Sequence, residues 1–232
     1  METTYRASQD RGRTRLDWLD SRHSFSFGGF HQPGWDGFRG LRVLNEDVVA
    51  PGRGFGPHPH RDAEILSFVL TGALLHVDST GARSRVAGGE IQQMTAGSGV
   101  VHAEWNASEV EAVRFIQVWL HPDCPGISPG FALGAPRWRE QKGRVLVASH
   151  DGREASLPIH ADASIYAGRL DRGDGFVQPL AAGRGAWVQV MSGGVEAAGR
   201  RLDAGDGLGV ESAHELEITA GEDAELLLFD LA

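Results

Sequence analysis

The chain has 232 residues, 41% of them hydrophobic, which is enough apolar material for one large β domain or two small ones. Its formal net charge of −9 and pI near 5.5 exclude a nucleic-acid backbone or an anionic membrane as the main partner, because both call for clusters of Lys and Arg. Cys124 is the only cysteine, the opening METTYRASQDRGRTR has no apolar secretory run, and no stretch approaches membrane-spanning length, so no intrachain disulfide forms and the expected compartment is the cytoplasm.

Residues 1 to about 40 begin as a polar arm and continue as an aromatic stretch, Phe25, Phe27 and Phe30, interrupted by Gly28, Gly29, Pro33 and Gly34; a strand with irregular loops is expected. From Leu41 onward LRVLNEDVVAP, ILSFVLTG, ALLHVDSTG, RSRVAGGEI and VRFIQVWL are apolar or alternating runs ended by Gly, Pro, Asn or Asp, and no window sustains a helical period. The 32 glycines are scattered along the chain, as short strands joined by tight turns require. The segment HPDCPGISPGFALGAPRW, starting at His121, holds four of the ten prolines, too many for regular strand pairing, and places a domain boundary near residue 130. Beyond it RVLVASH, IYAGRL, AWVQVMSG, GLGVES, LEITAG and AELLLFDL again read as short strands. Gly88-Gly89-Glu90, with Gly97 and Gly99 after it, is echoed by Ala204-Gly205-Asp206-Gly207 and Gly209, so the second half repeats the first. The expected fold is all-β, an antiparallel sandwich or barrel unit repeated in tandem, over residues 1–130 and 131–232.

Two segments carry the chemistry. In PHPHRDAE, residues 57–64, His58 and His60 stand two positions apart, so on a strand both imidazoles project from one face; Glu64 shares their parity. In VVHAEWN, residues 100–106, His102 and Glu104 repeat that relation on a second strand. A lone H-x-H among ten histidines is weak, but the separate H-x-E, entered through the glycine-rich turn Gly97-Ser98-Gly99, makes a shared ion the better reading. Three imidazoles and a carboxylate suit iron, manganese, nickel, copper, cobalt or zinc and are too nitrogen-rich for calcium or magnesium. Four protein donors leave one or two positions for water, substrate or dioxygen, as catalytic sites do.

These segments resemble the cupin superfamily. Gly52, His58, His60, Glu64 and Gly72 follow its first pattern with the last gap one residue long; Gly99, His102 and Asn106 follow the latter half of the second, with Gly97 at the usual proline position. HSFSFGGF, FGPHPHRDAE, MTAGSGVVHAEW and FIQVWL, spread over residues 23–120, narrow the resemblance to the pirin family and its bacterial quercetin 2,3-dioxygenase-like members. That resemblance implies two antiparallel β-barrels of jelly-roll type in tandem, and one divalent metal, usually iron(II), held by His58, His60, His102 and Glu104 in an N-terminal cupin. It implies a metal-free C-terminal cupin, where His214 has beside it only Glu215, of opposite strand parity. It also implies a monomeric dioxygenase that opens the heterocyclic ring of quercetin or a related flavonol with O2 and loss of carbon monoxide. Two alternatives remain open at this level: a regulatory, redox-sensing member acting through a protein partner, and a metal-dependent sugar or small-acid isomerase, which needs charged pocket residues.

Glu104 can act as general base toward an acidic substrate hydroxyl or serve only as a ligand. Glu64 is expected to orient a ligand imidazole, or to replace Glu104 as fourth ligand. Phe27, Phe30, Phe55, Met94 and Trp119 are candidates for an apolar wall able to stack a flat aromatic substrate, against the alternative of ordinary core packing. Trp105, of opposite parity to both ligands on its strand, should point away from the metal. His76 reads as a packed strand residue, Arg61 and Asp62 as solvated, and His23, His31, His121, His150 and His160 as surface or structural. Cys124, between prolines, has no nucleophilic role.

Overall fold

Alternating side chains between turn-forming glycines resolve into twenty-two strands in the computed structural model, which describes residues 1–232. Only three single turns of 3-10 helix interrupt them, and no helix is long and apolar enough to cross a membrane. In chain order the strands are β1 (Glu2–Arg6), β2 (Gly12–Arg15), β3 (Leu19–His23), β4 (Leu41–Val49), β5 (Gly54–His60), β6 (Glu64–Thr71), β7 (Ala73–Asp78), β8 (Arg83–Ala87), β9 (Ile91–Thr95), β10 (Val100–Asn106), β11 (Val113–Leu120) and β12 (Gly130–Gly134). The second half supplies β13 (Gly143–Ser149), β14 (Leu157–Pro158), β15 (Ala163–Leu170), β16 (Gly175–Pro179), β17 (Gly185–Ser192), β18 (Gly194–Ala197), β19 (Arg200–Asp203), β20 (Gly207–Glu211), β21 (Glu215–Ala220) and β22 (Ala224–Leu231).

They form two compact units, each of a seven-stranded and a four-stranded sheet. The N-terminal unit, Gly12–Ala135 with Ile159–Ala161, orders its sheets β12-β9-β6-β11-β4-β3-β2 and β5-β10-β7-β8. The C-terminal unit orders its own β1-β20-β17-β22-β15-β13-β14 and β16-β21-β18-β19. Strand for strand the two orders match, so the repetition heard in the glycines extends to the whole topology. All pairings are antiparallel except β13 with β14.

The glycine echo itself is a shared turn. Gly89 and Gly205 both have positive φ, +91° and +89°. The Gly89 N–H donates to the Val69 carbonyl and the Gly205 N–H to the Val190 carbonyl, while Glu90 and Asp206 donate back to Ala87 and Asp203. Only glycine takes that backbone region freely, which is why this turn survives in both copies.

The expected division at residue 130 is displaced at both ends. The compact units meet at Ala135/Pro136, and Met1–Arg11 belongs to the C-terminal unit. The reason is edge pairing: β1 occupies beside β20 the edge that β12 occupies beside β9. The Tyr5 hydroxyl donates to Asp206 Oδ2 at 2.9 Å, the Ser8 N–H to Asp206 Oδ1 at 2.7 Å, and Arg6 is buried. A polar arm carries no hydrophobic signal for this, because its stabilisation comes from ladder hydrogen bonds and a buried carboxylate.

Using Gly89 and Gly205 as the common origin, the inner faces of the two large sheets can be compared row by row. In the N-terminal unit Gln92, Ser67, Gln117, Asn45 and His23 stand directly opposite one another across five strands. The matching row of the C-terminal unit is Leu208, Val188, Leu228, Tyr166 and Leu146. One unit is closed by an apolar core; the other carries a polar belt at the same level.

Deleting residues 1–8 is expected to lower the melting temperature by about 5 °C or more and to cause self-association through the uncovered β20 edge. Scanning calorimetry and size-exclusion chromatography check this; an unchanged melting temperature would make the arm peripheral.

Candidate metal centre

The site lies where the four-stranded sheet of the N-terminal unit faces the polar belt. β5 and β10 pair antiparallel with His58 directly opposite His102 and Phe55 opposite Glu104. Three residue steps on β5 therefore match two on β10, a β-bulge that places the extra residue at Gly56–Pro57. In the C-terminal unit the corresponding strands run without one, Phe176 opposite Ile218 and Gln178 opposite Leu216. Without the bulge His58 would have the opposite parity to Phe55; with it, His58, His60 and Phe55 share the interior. Trp105 faces outward and is 38% exposed, as its parity requires.

The three imidazoles converge. Ring centroids lie 4.8 Å apart for His58–His60, 4.5 Å for His58–His102 and 4.8 Å for His60–His102. The bulge also sets a tautomer: His58 Nδ1–H donates to the Gly56 carbonyl at 2.8 Å, which leaves the lone pair on Nε2. That Nε2 lies 3.1 Å from Nε2 of His102. Two nitrogen ligands at about 2.1 Å from one ion and at right angles to each other stand about 3 Å apart, so the spacing fits a shared transition metal.

The electrostatics agree. Burial, followed by the neighbouring rings His102 and His58, lowers the His60 pKa to about 4; burial, followed by His58 and His76, lowers that of His102 to about 3. Both rings are neutral near pH 7, the state a metal needs. His102 and His76 each keep a buried Nδ1 without a hydrogen-bond partner, unmatched polar atoms of a kind closed cores rarely hold. The donor set thus fits a divalent transition metal.

Glu104 flanks the histidines on the side of the polar belt. Its carboxylate, His102 and His76 offer ligand atoms all within 4.8 Å of one another, as His58, His60 and His102 do in their own group. Ser67 Oγ and Gln92 Nε2 donate to Glu104 Oε1, and Gln117 Nε2 donates to Oε2 at 2.8 Å. Trp119 Nε1–H, which can only donate, binds Gln117 Oε1 at 3.1 Å and so fixes the amide with its NH2 toward Glu104.

A cavity of about 320 Å³ opens beside these side chains. His58, His60, Glu104 and Gln117 form one end of its wall, Phe27, Phe55, Leu19 and Trp119 its apolar sides, and Thr14, Ser21, His23, Asn45 and Asp47, with Gly28 and Gly29, the rest. Of the five expected aromatic and apolar liners, Phe27, Phe55 and Trp119 are there; Trp119 meets His60 and Phe27 edge-on at 4.8 and 5.4 Å. Phe30 and Met94 are not. Phe30 turns over Gly12, whose Cα it crowds so closely that a Cβ there would lie 2.3 Å from the ring. Met94 is buried with Ile65, Ala96 and Val100, in an apolar row beside the polar one.

Glu64 is not where parity counting put it. It opens a new strand of the other sheet, after a turn in which Asp62 has φ +48°. On β6 the inward positions are Ile65, Ser67 and Val69, so Glu64 faces the opposite side and binds Gln93 Nε2 and Thr95 Oγ1 at 2.8 and 3.1 Å. It touches no ligand imidazole, and burial pushes its carboxyl up despite those bonds.

Sequence reading missed His76, fully buried, with Nε2 2.9 Å from Asp78 Oδ2. β7 sets Asp78 opposite His102 and His76 opposite Glu104, so this pair backs both. The signal was a third i, i+2 pair, His76-Val77-Asp78, in an apolar run. His23, Asn45, Ser67, Gln92 and Gln117 were missed because nothing local marks a row assembled across five strands. His214 is exposed; the C-terminal counterparts of His102 and Glu104 are Leu216 and Ile218.

Comparison with known proteins follows the same lines. The Pirin family model matches residues 4–120, and a model described as the quercetinase C-terminal cupin domain matches residues 146–231. A quercetin 2,3-dioxygenase of Escherichia coli K12 is 41% identical over 226 residues, 97% of each chain, and a pirin-like protein of Caulobacter vibrioides is 38% identical over 224 residues, 93% of each. The crystal structure of YhhW from Escherichia coli superposes with a TM-score of 0.96 at 40% identity, covering 100% of this chain and 98% of that one. The structure of bacterial pirin YhhW in complex with nickel(II) gives 0.95 at 39% identity, covering 99% of both.

Gly54 sits so close to β10 that a Cβ would lie 2.2 Å from the Glu104 carbonyl oxygen. Gly54→Ala is therefore expected to push β5 off β10 and weaken nickel binding by about tenfold or more, measured by calorimetry. Wild-type affinity in a folded variant would mean the close approach does not position the ligands.

Proposed function

The chain belongs to the pirin family, and from that premise we propose that it is a metal-dependent dioxygenase opening the heterocyclic ring of a flavonol such as quercetin. The observation that carries this reading is the convergence of three imidazoles on one point beside Glu104, at the wall of a largely apolar cavity of about 320 Å³. The name of the Escherichia coli relative supports the substrate class.

His58, His60 and His102, with Glu104, would hold one divalent metal, for which iron(II) is our choice and nickel the ion found with a relative. When bound, such a metal supplies a Lewis acid beside an acidified hydroxyl and a redox centre for dioxygen chemistry. The chain's own residues do the rest. Phe27, Phe55 and Trp119 hold a planar ring system and keep bulk water out. Glu104, at the polar end of that space, takes the proton of the flavonol hydroxyl and leaves an electron-rich enolate. Ser67, Gln92 and Gln117 fix the carboxylate while it does so. In this reading the N-terminal unit is the catalytic cupin barrel and the C-terminal unit a metal-free structural one.

The test loads the protein anaerobically with ferrous iron, adds quercetin and then air, and follows the near-ultraviolet band of the flavonol. Wild type is expected to bleach it. His58→Ala, His60→Ala and His102→Ala should each lose metal, by elemental analysis, and activity together; Glu104→Gln should lower kcat by roughly 10²-fold or more. No bleaching above the metal-only control with any of iron, nickel, manganese, copper, cobalt or zinc would overturn the assignment.

A further inference from the structure

The polar belt does more than hold Glu104. Ser67, Gln92 and Gln117 are the three of its five members that do so; His23 and Asn45 make no bond to Glu104 and instead line the cavity from the large sheet, across from the histidines on β5. Nothing in the fold requires polar residues there, since Tyr166 and Leu146 occupy those places in the C-terminal unit and pack into or beside its core.

The hydrogen-bond inventory of Asn45 is the second observation. The residue is 2% exposed. Its Oδ1 accepts from His23 Nδ1–H at 2.9 Å, and His23 Nε2 in turn meets Thr14 Oγ1 at 2.9 Å, so the ring and the amide are locked in orientation. The Asn45 amide NH2 is then left facing the cavity with no partner in the protein. That amide opens onto the cavity, so a ligand oxygen can accept from it in place of solvent. Two residues along the same face of β4 is Asp47, also buried and lining the cavity, an acceptor for a hydroxyl hydrogen. On a strand, side chains at that spacing stand about 7 Å apart, close enough to engage two hydroxyls of one ring.

We propose that Asn45 and Asp47 form a specificity subsite that binds the hydroxyl groups of a polyhydroxylated aromatic ring, on the wall across from the metal-ligating histidines. The proposal rests on the flavonol reading given above and narrows it: the preferred substrate carries hydroxyls on the ring remote from the reacting centre, a catechol rather than a bare phenyl. His23 and Thr14 act as positioning residues for Asn45.

The test is anaerobic calorimetry on the nickel-loaded full chain with two flavonols, quercetin, which bears a catechol, and galangin, whose corresponding ring is bare. Wild type is expected to bind quercetin about three- to tenfold more tightly than galangin, the worth of one or two net hydrogen bonds. Asn45→Leu and Asp47→Asn should each remove most of that difference by weakening quercetin alone, with nickel stoichiometry and circular dichroism as in wild type. Both variants are needed, because the leucine also takes an acceptor from His23, whereas the asparagine preserves shape and volume. Binding of both flavonols with an unchanged quercetin-to-galangin ratio in the two variants overturns the subsite and leaves the dioxygenase reading standing. Absence of binding of either flavonol to wild type overturns that reading and the subsite with it.

Discussion

The antiparallel pairing of β5 with β10 holds the site together. Ladder hydrogen bonds bring two strands to a fixed separation, and the His58 and His102 Nε2 atoms at 3.1 Å follow from that backbone spacing rather than from any attraction between the rings. Three imidazoles have no reason to crowd at 4.5–4.8 Å between centroids unless the main chain compels them or an ion rewards them. Gly54 permits the approach, and the bulge carbonyl of Gly56 selects the His58 tautomer. Main-chain geometry thus preorganises donors that would otherwise relax apart.

The two units show the cost of this arrangement by contrast. At five matching positions the C-terminal unit uses Leu208, Val188, Leu228, Tyr166 and Leu146, each able to contribute on the order of 1.5–3 kcal/mol on burial. The N-terminal unit replaces that row with an imidazole, a hydroxyl and three amides, groups that stabilise nothing in a core unless hydrogen-bonded. Its belt is tolerated because most of its polar atoms are satisfied through Glu104, Trp119 and one another, Gln92 Oε1 alone being sealed without a partner. Apolar packing is left to the flanking rows, such as Trp119, Ile65 and Met94.

Much of this was legible in the sequence, for definite reasons. Alternation in VRFIQVWL and LRVLNEDVV announces strands, and paired glycine turns announce a repeat, because both are local signals. His58, His60 and His102 were legible because two residues along one strand share a face. The same rule failed for Glu64, since parity does not carry across the turn at Asp62 into a strand of the other sheet. It failed again for Phe30 and Met94, whose aromatic or apolar character fits a core as well as a pocket. The arm that forms β1 and the row from His23 to Gln92 depend on partners far away in sequence, and no local pattern encodes register between distant strands.

Divergence of the two copies is coupled at two levels, and neither change serves alone. The extra residue on β5 turns His58 inward, but inward histidines against a leucine row would meet no carboxylate donor network and no polar wall. Polar substitution of the row alone would bury amides opposite Leu216-like and Ile218-like positions, leaving them unsatisfied. The sequence H-x-H is therefore only the visible half of the site. The other half is a backbone irregularity at Gly56–Pro57, which turns these histidines toward one another, and five side chains on the facing sheet, three of which hold Glu104 beside them.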